Sequence, residues 1–295
     1  MSKREPLTLA ALGERGFHRF WAASKSAASQ RSNLKAVLDA LGEQTKVEKI
    51  TSVQIEQACE RWMKTGTSPK TVNRRLSVLS KLLRYAVQHQ LISAAPHIER
   101  YKEPAGRLRF VTDGEEMDLC RKFREADRPL YADLVSVLLD TGMRRGEALG
   151  LTWEQLEDRT DSLYRTLIRL EDTKSGRPRR IPATGRVHGI LHELCRKQRS
   201  EAGPFTSIKP STFEDAWNRV KREMGLADDA GFTAHALRHT FASRLLHRGA
   251  RIEVVSRLLG HADIQTTVNV YYHELPGDSE SAVSLLETAC GPGGD

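Results

Sequence analysis

Along the first hundred residues, apolar positions recur at intervals of three and four, the period that gathers them on one face of an α-helix. After an irregular start, Phe17, Phe20 and Trp21 open an apolar patch. Leu34, Val37, Leu38 and Leu41 then predict a helix over 24–41, with Gly42 as its C-cap. Val53, Ile55, Ala58 and Trp62 predict a second over 50–63. The best-marked helix begins at Ser68, an N-cap residue followed by Pro69 at the first helical position. Its stripe is Val72, Leu76, Leu79, Leu83, Ala86 and Val87, with Arg74, Arg75, Lys81 and Arg84 mostly off it. Residues 94–109 hold two prolines, a glycine and little periodicity, and read as a linker. The boundary therefore falls close to 103, dividing the chain into a helical domain, 1–102, and a second domain, 103–295.

Beyond the linker the pattern is mixed. Helices are predicted over 112–125 and 129–139, and again over 144–151 after a break at Asp140-Thr141-Gly142. Residues 163–169 and 179–182 carry strand-type residues around the turn Lys174-Ser175-Gly176, which predicts a small antiparallel hairpin or sheet. Helical spacing returns over 188–199, 210–224, 236–248, 252–259 and 279–289. The fold class is mainly α with one small antiparallel sheet: a helical N-terminal domain followed by an α+β domain.

The 295-residue chain is long enough for two domains, each with its own core. Cys59, Cys120, Cys195 and Cys290 are widely spaced with no CxxC pair, which argues against a zinc site or disulfide framework and suits a reducing cytoplasm. No apolar run is long enough to span a membrane, and the N-terminus shows no secretory h-region, so the expectation is a cytoplasmic protein with no membrane partner. Net charge is +8, but residues 1–100 hold 17 Lys+Arg against 8 Asp+Glu, while the other 195 hold 29 against 30. The excess positive charge thus sits in the first third. That suits a nucleic-acid-facing module, with Arg74, Arg75, Lys81 and Arg84 as a basic helix face of a size that fits a DNA groove. A solvated basic surface would look the same.

Chemistry concentrates in residues 234–273. His235, Arg238 and His239 stand at i, i+3 and i+4, so on a helix they share a face. An arginine fork holds two phosphate oxygens, and an imidazole beside it can bond a third. His239, taken alone, reads as a packing or capping histidine. His261 follows Leu259-Gly260, and Tyr271 and Tyr272 follow a Thr-Thr pair. Upstream, Arg144 stands just after the Thr-Gly break with Glu147 three residues on, placed to orient a neighbouring imidazole or guanidinium. Lys174 at the hairpin turn could give a proton to a leaving oxygen. A tyrosine, with an ordinary pKa of about 10, is a useful nucleophile only where cations surround the phosphate and a base takes its proton. None of these motifs is specific alone.

Taken in order, TGMRRGE, the hairpin lysine, HALRHT, LGH and the terminal YYH resemble the tyrosine recombinases, and among them the phage-type integrases, over about residues 15–285. Residues 15–95 are similar to that family's helical core-binding domain. The resemblance implies that Arg144 and Arg238 bind the scissile phosphate and that Lys174 is the general acid for the leaving 5′-oxygen. It implies His235 as general base or phosphate partner, His261 as a further donor, and Glu147 as support. A tyrosine would attack to give a 3′-phosphotyrosyl link, with no metal, ATP or other cofactor. Implied partners are double-stranded attachment sites, a homotetramer on two duplexes, and an accessory bending or directionality factor. The implied location is the nucleoid of a bacterial host.

Relatives place the nucleophile nine or ten residues after the LGH histidine. Here those offsets fall on Val270 and Tyr271, and the family's Y-x-H ending selects Tyr271. Larger phage integrases carry an arm-binding domain for which the 15 residues before the core-binding region leave little room, so a simpler enzyme is expected. A Xer-type dimer resolvase is the nearest alternative. A type IB topoisomerase shares the chemistry but lacks strand exchange, and a DNA-binding protein without catalysis is the alternative of another class. The amphipathic 279–289 helix is expected to dock on a neighbouring subunit.

Overall fold

The computed structural model describes residues 7–24, 26–103, 108–158, 165–171, 178–197 and 201–271. The chain separates into two units, Met1–Gly106 and Arg107–Asp295.

Among the described residues the first unit is built on four α-helices, α1 (Leu9–Phe20), α2 (Ala27–Leu41), α3 (Ser52–Lys64) and α4 (Pro69–Gln88). The irregular start expected from the sequence is instead the regular helix α1. Its inward face is Leu9, Leu12, Gly13, Gly16 and Phe17. Two glycines on a helix read as breaks, but here they permit close approach: a Cβ on Gly16 would lie 2.1 Å from Leu82 Cδ2. Thr8 caps α1 by accepting from the Ala11 amide. Ser68 accepts from the Thr71 amide with Pro69 following, as predicted, and Gly42 ends α2. Buried Leu34, Val37, Ile55, Trp62, Leu76, Leu79, Leu82 and Leu83 share one core.

The segment read as a linker from residue 94 is partly structured. Asn73 on α4 donates to the Tyr101 carbonyl at 2.8 Å and accepts from the Tyr101 amide at 3.0 Å. Arg100 donates to the Asn73 carbonyl at 2.6 Å. The buried Asn73 side chain thus reproduces a strand-like pair of bonds and straps the chain back onto α4.

The second unit is centred on α6 (Pro129–Thr141), buried on nearly all sides and packed against α5 (Asp113–Glu125) and α10 (Ala234–His247). A helix hydrophobic all round belongs inside a core. Around it are α7 (Arg145–Leu149), α8 (Gly185–Lys197), α9 (Pro210–Glu223), α11 (Ile252–Leu259) and α12 (Gln265–Tyr271). The expected hairpin is a three-stranded antiparallel sheet, β1 (Leu156–Asp158), β2 (Thr166–Leu170) and β3 (Arg179–Pro182), in that order. Ile168 on β2 faces Leu156 on one side and Ile181 on the other. β1 escaped the sequence reading because three residues are too few to show a period.

α6 stops at Gly142, whose φ of +62° is a left-handed conformation that other residues adopt at a cost. A Cβ there would also lie 2.3 Å from Phe241 Cδ1 on α10. Gly142→Ala is expected to destabilise the protein by about 2 kcal/mol, combining φ strain with overpacking. Urea unfolding would show a lower midpoint with an unchanged slope, and an unaltered midpoint would contradict this account.

Candidate active site

The C-terminal end of α11 organises the site. A helix leaves its last carbonyls unbonded and carries partial negative charge at that end, so cations settle there. Three arginines do so. Arg179, at the start of β3, donates from Nε to the Leu258 carbonyl at 2.8 Å. Arg238, on α10, donates from Nη2 to the Leu259 carbonyl at 2.5 Å. Arg144, the residue before α7, reaches the Gly260 carbonyl with Nη2 at 3.4 Å.

Arg238 is only 3 % exposed and also donates to the Gly142 carbonyl at 2.6 Å. The turn that ends α6 and the end of α11 therefore grip one guanidinium. A guanidinium has five N–H donors, and these two contacts leave others available. Burial, then the charges of Arg144 and Arg179, lower the Arg238 pKa to about 9, so it remains charged at neutral pH.

Glu147 sits among these cations. It accepts from the Arg144 backbone amide and from Arg144 Nη1, both at 2.8 Å. Arg179 donates to its two oxygens at 2.6 and 3.2 Å, a bidentate pair. Burial pushes the Glu147 carboxyl up, but the bonds from Arg179 and the Arg144 amide outweigh it and leave the pKa lowered. Among the described residues one carboxylate thus lies among three guanidiniums, a surplus of positive charge that suits an anion.

The histidines and the tyrosine complete it. His235 stands exposed at the N-terminal end of α10 beside a recess of about 280 Å³ that also touches Arg238. Desolvation first, and then the charges of Arg238 and Arg144, lower its pKa. His261, just past α11, has Nδ1 2.8 Å from the Thr267 hydroxyl on α12. Burial first, then Arg238, Arg144 and Arg179, bring its pKa to about 4, so the ring is neutral. Tyr271 ends the described part of α12, with its ring 1 % exposed among Phe241, Leu246, Val255 and Leu259. Its hydroxyl lies 2.8 Å from His239 Nδ1, and burial raises its pKa despite the nearby Arg238.

Arg144, Glu147, Arg238, His235, His261 and Tyr271 therefore converge within the second unit. Lys174, Tyr272, His273 and the 279–289 helix lie outside the described residues. Among the four basic residues singled out on α4, Arg74, Lys81 and Arg84 are exposed on one stripe. Arg75 turns aside, its guanidinium 4.9 Å from the Trp62 ring centre, and Lys81 lies 4.4 Å from that of Phe20. These are cation–π contacts that reach from α4 to Trp62 on α3 and to Phe20 on α1.

Two further residues stand in this cluster that local sequence motifs do not single out. The sequence marks Arg179 only as the start of a strand, yet alternation along β3 puts it on the inward face with Ile181. An arginine at an inward strand position is itself a signal of a buried ion pair. His239, which alone reads as a packing histidine, shares the helical face of His235 and meets the Tyr271 hydroxyl.

The phage integrase family model matches residues 115–277, more than half of the chain. The chain belongs to the phage integrase family. It is thereby a site-specific recombinase that cuts and rejoins DNA. It is 27 % identical over 282 residues to a XerC-like tyrosine recombinase of Caldanaerobacter subterraneus, covering 82 % of this chain and 72 % of that one. It is also 27 % identical to the integrase of Escherichia phage P2, over 80 % of this chain and 65 % of the relative. In fold it is similar to the Tn1549 transposon integrase solved with a circular intermediate DNA, with a TM-score of 0.77 at 19 % identity over 96 % of this chain and 99 % of that one. Among the described residues, no helix of this recombinase is long and apolar enough to cross a membrane.

Proposed function

We propose that this recombinase integrates or excises a phage or other mobile element by a two-step phosphoryl transfer in which Tyr271 is the nucleophile. The observation that carries the reading is the cluster at the end of α11, where Arg144, Arg179 and Arg238 gather around the carboxylate of Glu147. Among the described residues the cluster carries more positive than negative charge, and a phosphodiester would balance it. Arg144 and Arg238 bind the non-bridging oxygens, and their charge stabilises the transition state as it spreads over those oxygens. With the Thr267 hydroxyl donating to Nδ1 of His261, that ring carries its hydrogen on Nε2 and serves as a further donor. His235 at the rim bonds the phosphate or acts as a base. Lys174 protonates the leaving 5′-oxygen.

Attack by Tyr271 Oη on phosphorus expels the 5′-oxygen and leaves a 3′-phosphotyrosyl link. A 5′-hydroxyl from the partner duplex then attacks that link and releases the phenol, so one phosphodiester is exchanged for another and no ATP is needed. The reaction runs without metal, since the guanidiniums supply the charge. The helical 1–102 domain grips the attachment site through the exposed stripe of Arg74, Lys81 and Arg84, with Arg75 behind it. The assembly is a homotetramer on two duplexes, assisted by a bending or directionality factor, in the bacterial cytoplasm and nucleoid. A Xer-type role in dimer resolution uses the same chemistry, and similarity to a XerC-like recombinase keeps it as the second reading.

The test is to incubate the protein with a pool of duplexes nicked so that the cleaved end diffuses away, then digest the trapped adduct and sequence the peptide by mass spectrometry. The expected adduct is a 3′-phosphate on Tyr271 with a free 5′-hydroxyl. An adduct on another residue, or on a 5′-phosphate, would sink the assignment. The trapped DNA would also reveal the site.

A further inference from the structure

α10 presents two things at once: the Arg238 guanidinium and, one residue on, the His239 imidazole whose Nδ1 lies 2.8 Å from the Tyr271 hydroxyl. The ring of His235 packs edge-on against that of His239, with centres 4.6 Å apart, which fixes the plane of the imidazole. The phenol and imidazole centres are 5.9 Å apart. A phenol donates when its partner is a ring nitrogen with a free lone pair, so Nδ1 is the acceptor and the neutral ring carries its hydrogen on Nε2.

We infer that His239 takes the proton from Tyr271 as the phenol attacks phosphorus, an assignment that rests on Tyr271 being the nucleophile. The Tyr271 O–H bond breaks as the O–P bond forms, and the proton moves to His239 Nδ1, leaving an imidazolium. The bond from phosphorus to the 5′-oxygen breaks, and that oxygen takes its proton from the separate acid. In the return step the incoming 5′-hydroxyl gives its proton back to that acid, now deprotonated, as its oxygen bonds phosphorus; the Tyr271 O–P bond breaks, and the phenolate recovers its proton from His239.

The groups facing this imidazole are His235 and Arg238 from α10, His261 from the turn after α11, and Tyr271 from α12. Burial first, then His235, Arg238 and His261, bring its pKa to about 4, so it stands neutral and able to accept at pH 7. An anion seated on Arg238 offsets part of that positive field and makes the imidazole more basic when the phosphate is in place. His235, exposed at the rim, remains with the phosphate oxygens.

The test compares wild type, His239→Asn, His239→Ala and Tyr271→Phe in single-turnover adduct formation on the nicked duplex pool. The amide oxygen introduced by His239→Asn would accept the same hydrogen bond but take no proton, so this variant separates orientation from proton transfer. Both His239 variants are expected to bind DNA as wild type does and to react at least about 100-fold more slowly, the usual scale for a missing general base. Added imidazole should restore part of the His239→Ala rate. A bridging 5′-phosphorothiolate, whose sulfur leaves without protonation, should restore neither variant. Wild-type rate in His239→Asn would overturn the inference, as would rescue by the sulfur leaving group. If His239→Ala does not fold, as judged by circular dichroism, the asparagine variant decides alone. An adduct persisting in Tyr271→Phe would show instead that the nucleophile had been misassigned.

Discussion

Tyr271→Phe is expected to bind DNA as wild type does and to form no covalent adduct, while Tyr272→Phe continues to form one. The change is clean because of where the ring sits. Tyr271 is buried among Phe241, Leu246, Val255 and Leu259, contacts that phenylalanine keeps. What is removed is the hydroxyl and its bond to His239, a contribution to folding of about 1 kcal/mol. Loss of a nucleophile cannot be compensated by the cations around it, so the expected outcome is absence of adduct rather than a slower rate. The measurement is denaturing electrophoresis of the trapped complex beside a mobility-shift assay. Adduct in Tyr271→Phe, or its loss only in Tyr272→Phe, would refute the choice of nucleophile.

Glu147→Ala is expected to be the most destabilising change in the site. Arg179 is 2 % exposed in its side chain, and Glu147 answers its charge with two bonds. Removing one member of a buried pair leaves the other charge uncompensated, at a typical cost of about 3–5 kcal/mol. Two further guanidiniums near the same spot add repulsion once the carboxylate is gone. For a unit of this size the loss corresponds to a fall in Tm of roughly 10 °C. The effect depends on pH with a definite sign. The folded Glu147 pKa lies below the unfolded value of about 4.3, so its contribution is complete above that pH and lost as pH falls through the folded value. Urea midpoints of wild type and Glu147→Ala should differ most near neutrality and converge in acid. Equal midpoints at pH 7 would mean that the cluster is held by something other than this carboxylate.

How far this arrangement is legible in the sequence depends on the kind of signal each residue carries. β3 and α11 fall at their predicted limits, because an alternating strand and an apolar helix ending in glycine have local causes. Ser68 and Pro69 mark α4 for the same reason. α1 was obscured because its packing face uses Gly13 and Gly16, whose value lies in what Leu34 and Leu82 do opposite them. α12 was obscured by Thr266, Thr267 and Val268, β-branched residues that lower helix propensity and are overridden here by burial of Thr267 and Tyr271. The motif arginines were visible in the sequence. That Arg179, Arg238 and Arg144 would meet at three successive carbonyls was not, since those partners are backbone atoms of a helix lying 21 to 116 residues away in the chain. The pairing of His239 with Tyr271 spans 32 residues and likewise depends on how α12 returns over α10.

The gathering of arginines at the end of α11 also couples the endurance of the fold to occupancy. Like charges assembled by folding repel one another, and a bound phosphodiester relieves that repulsion in the native state alone. By mass action, a ligand that binds only the folded form raises its stability with every increase in concentration over Kd. The free molecule is consequently the more fragile one.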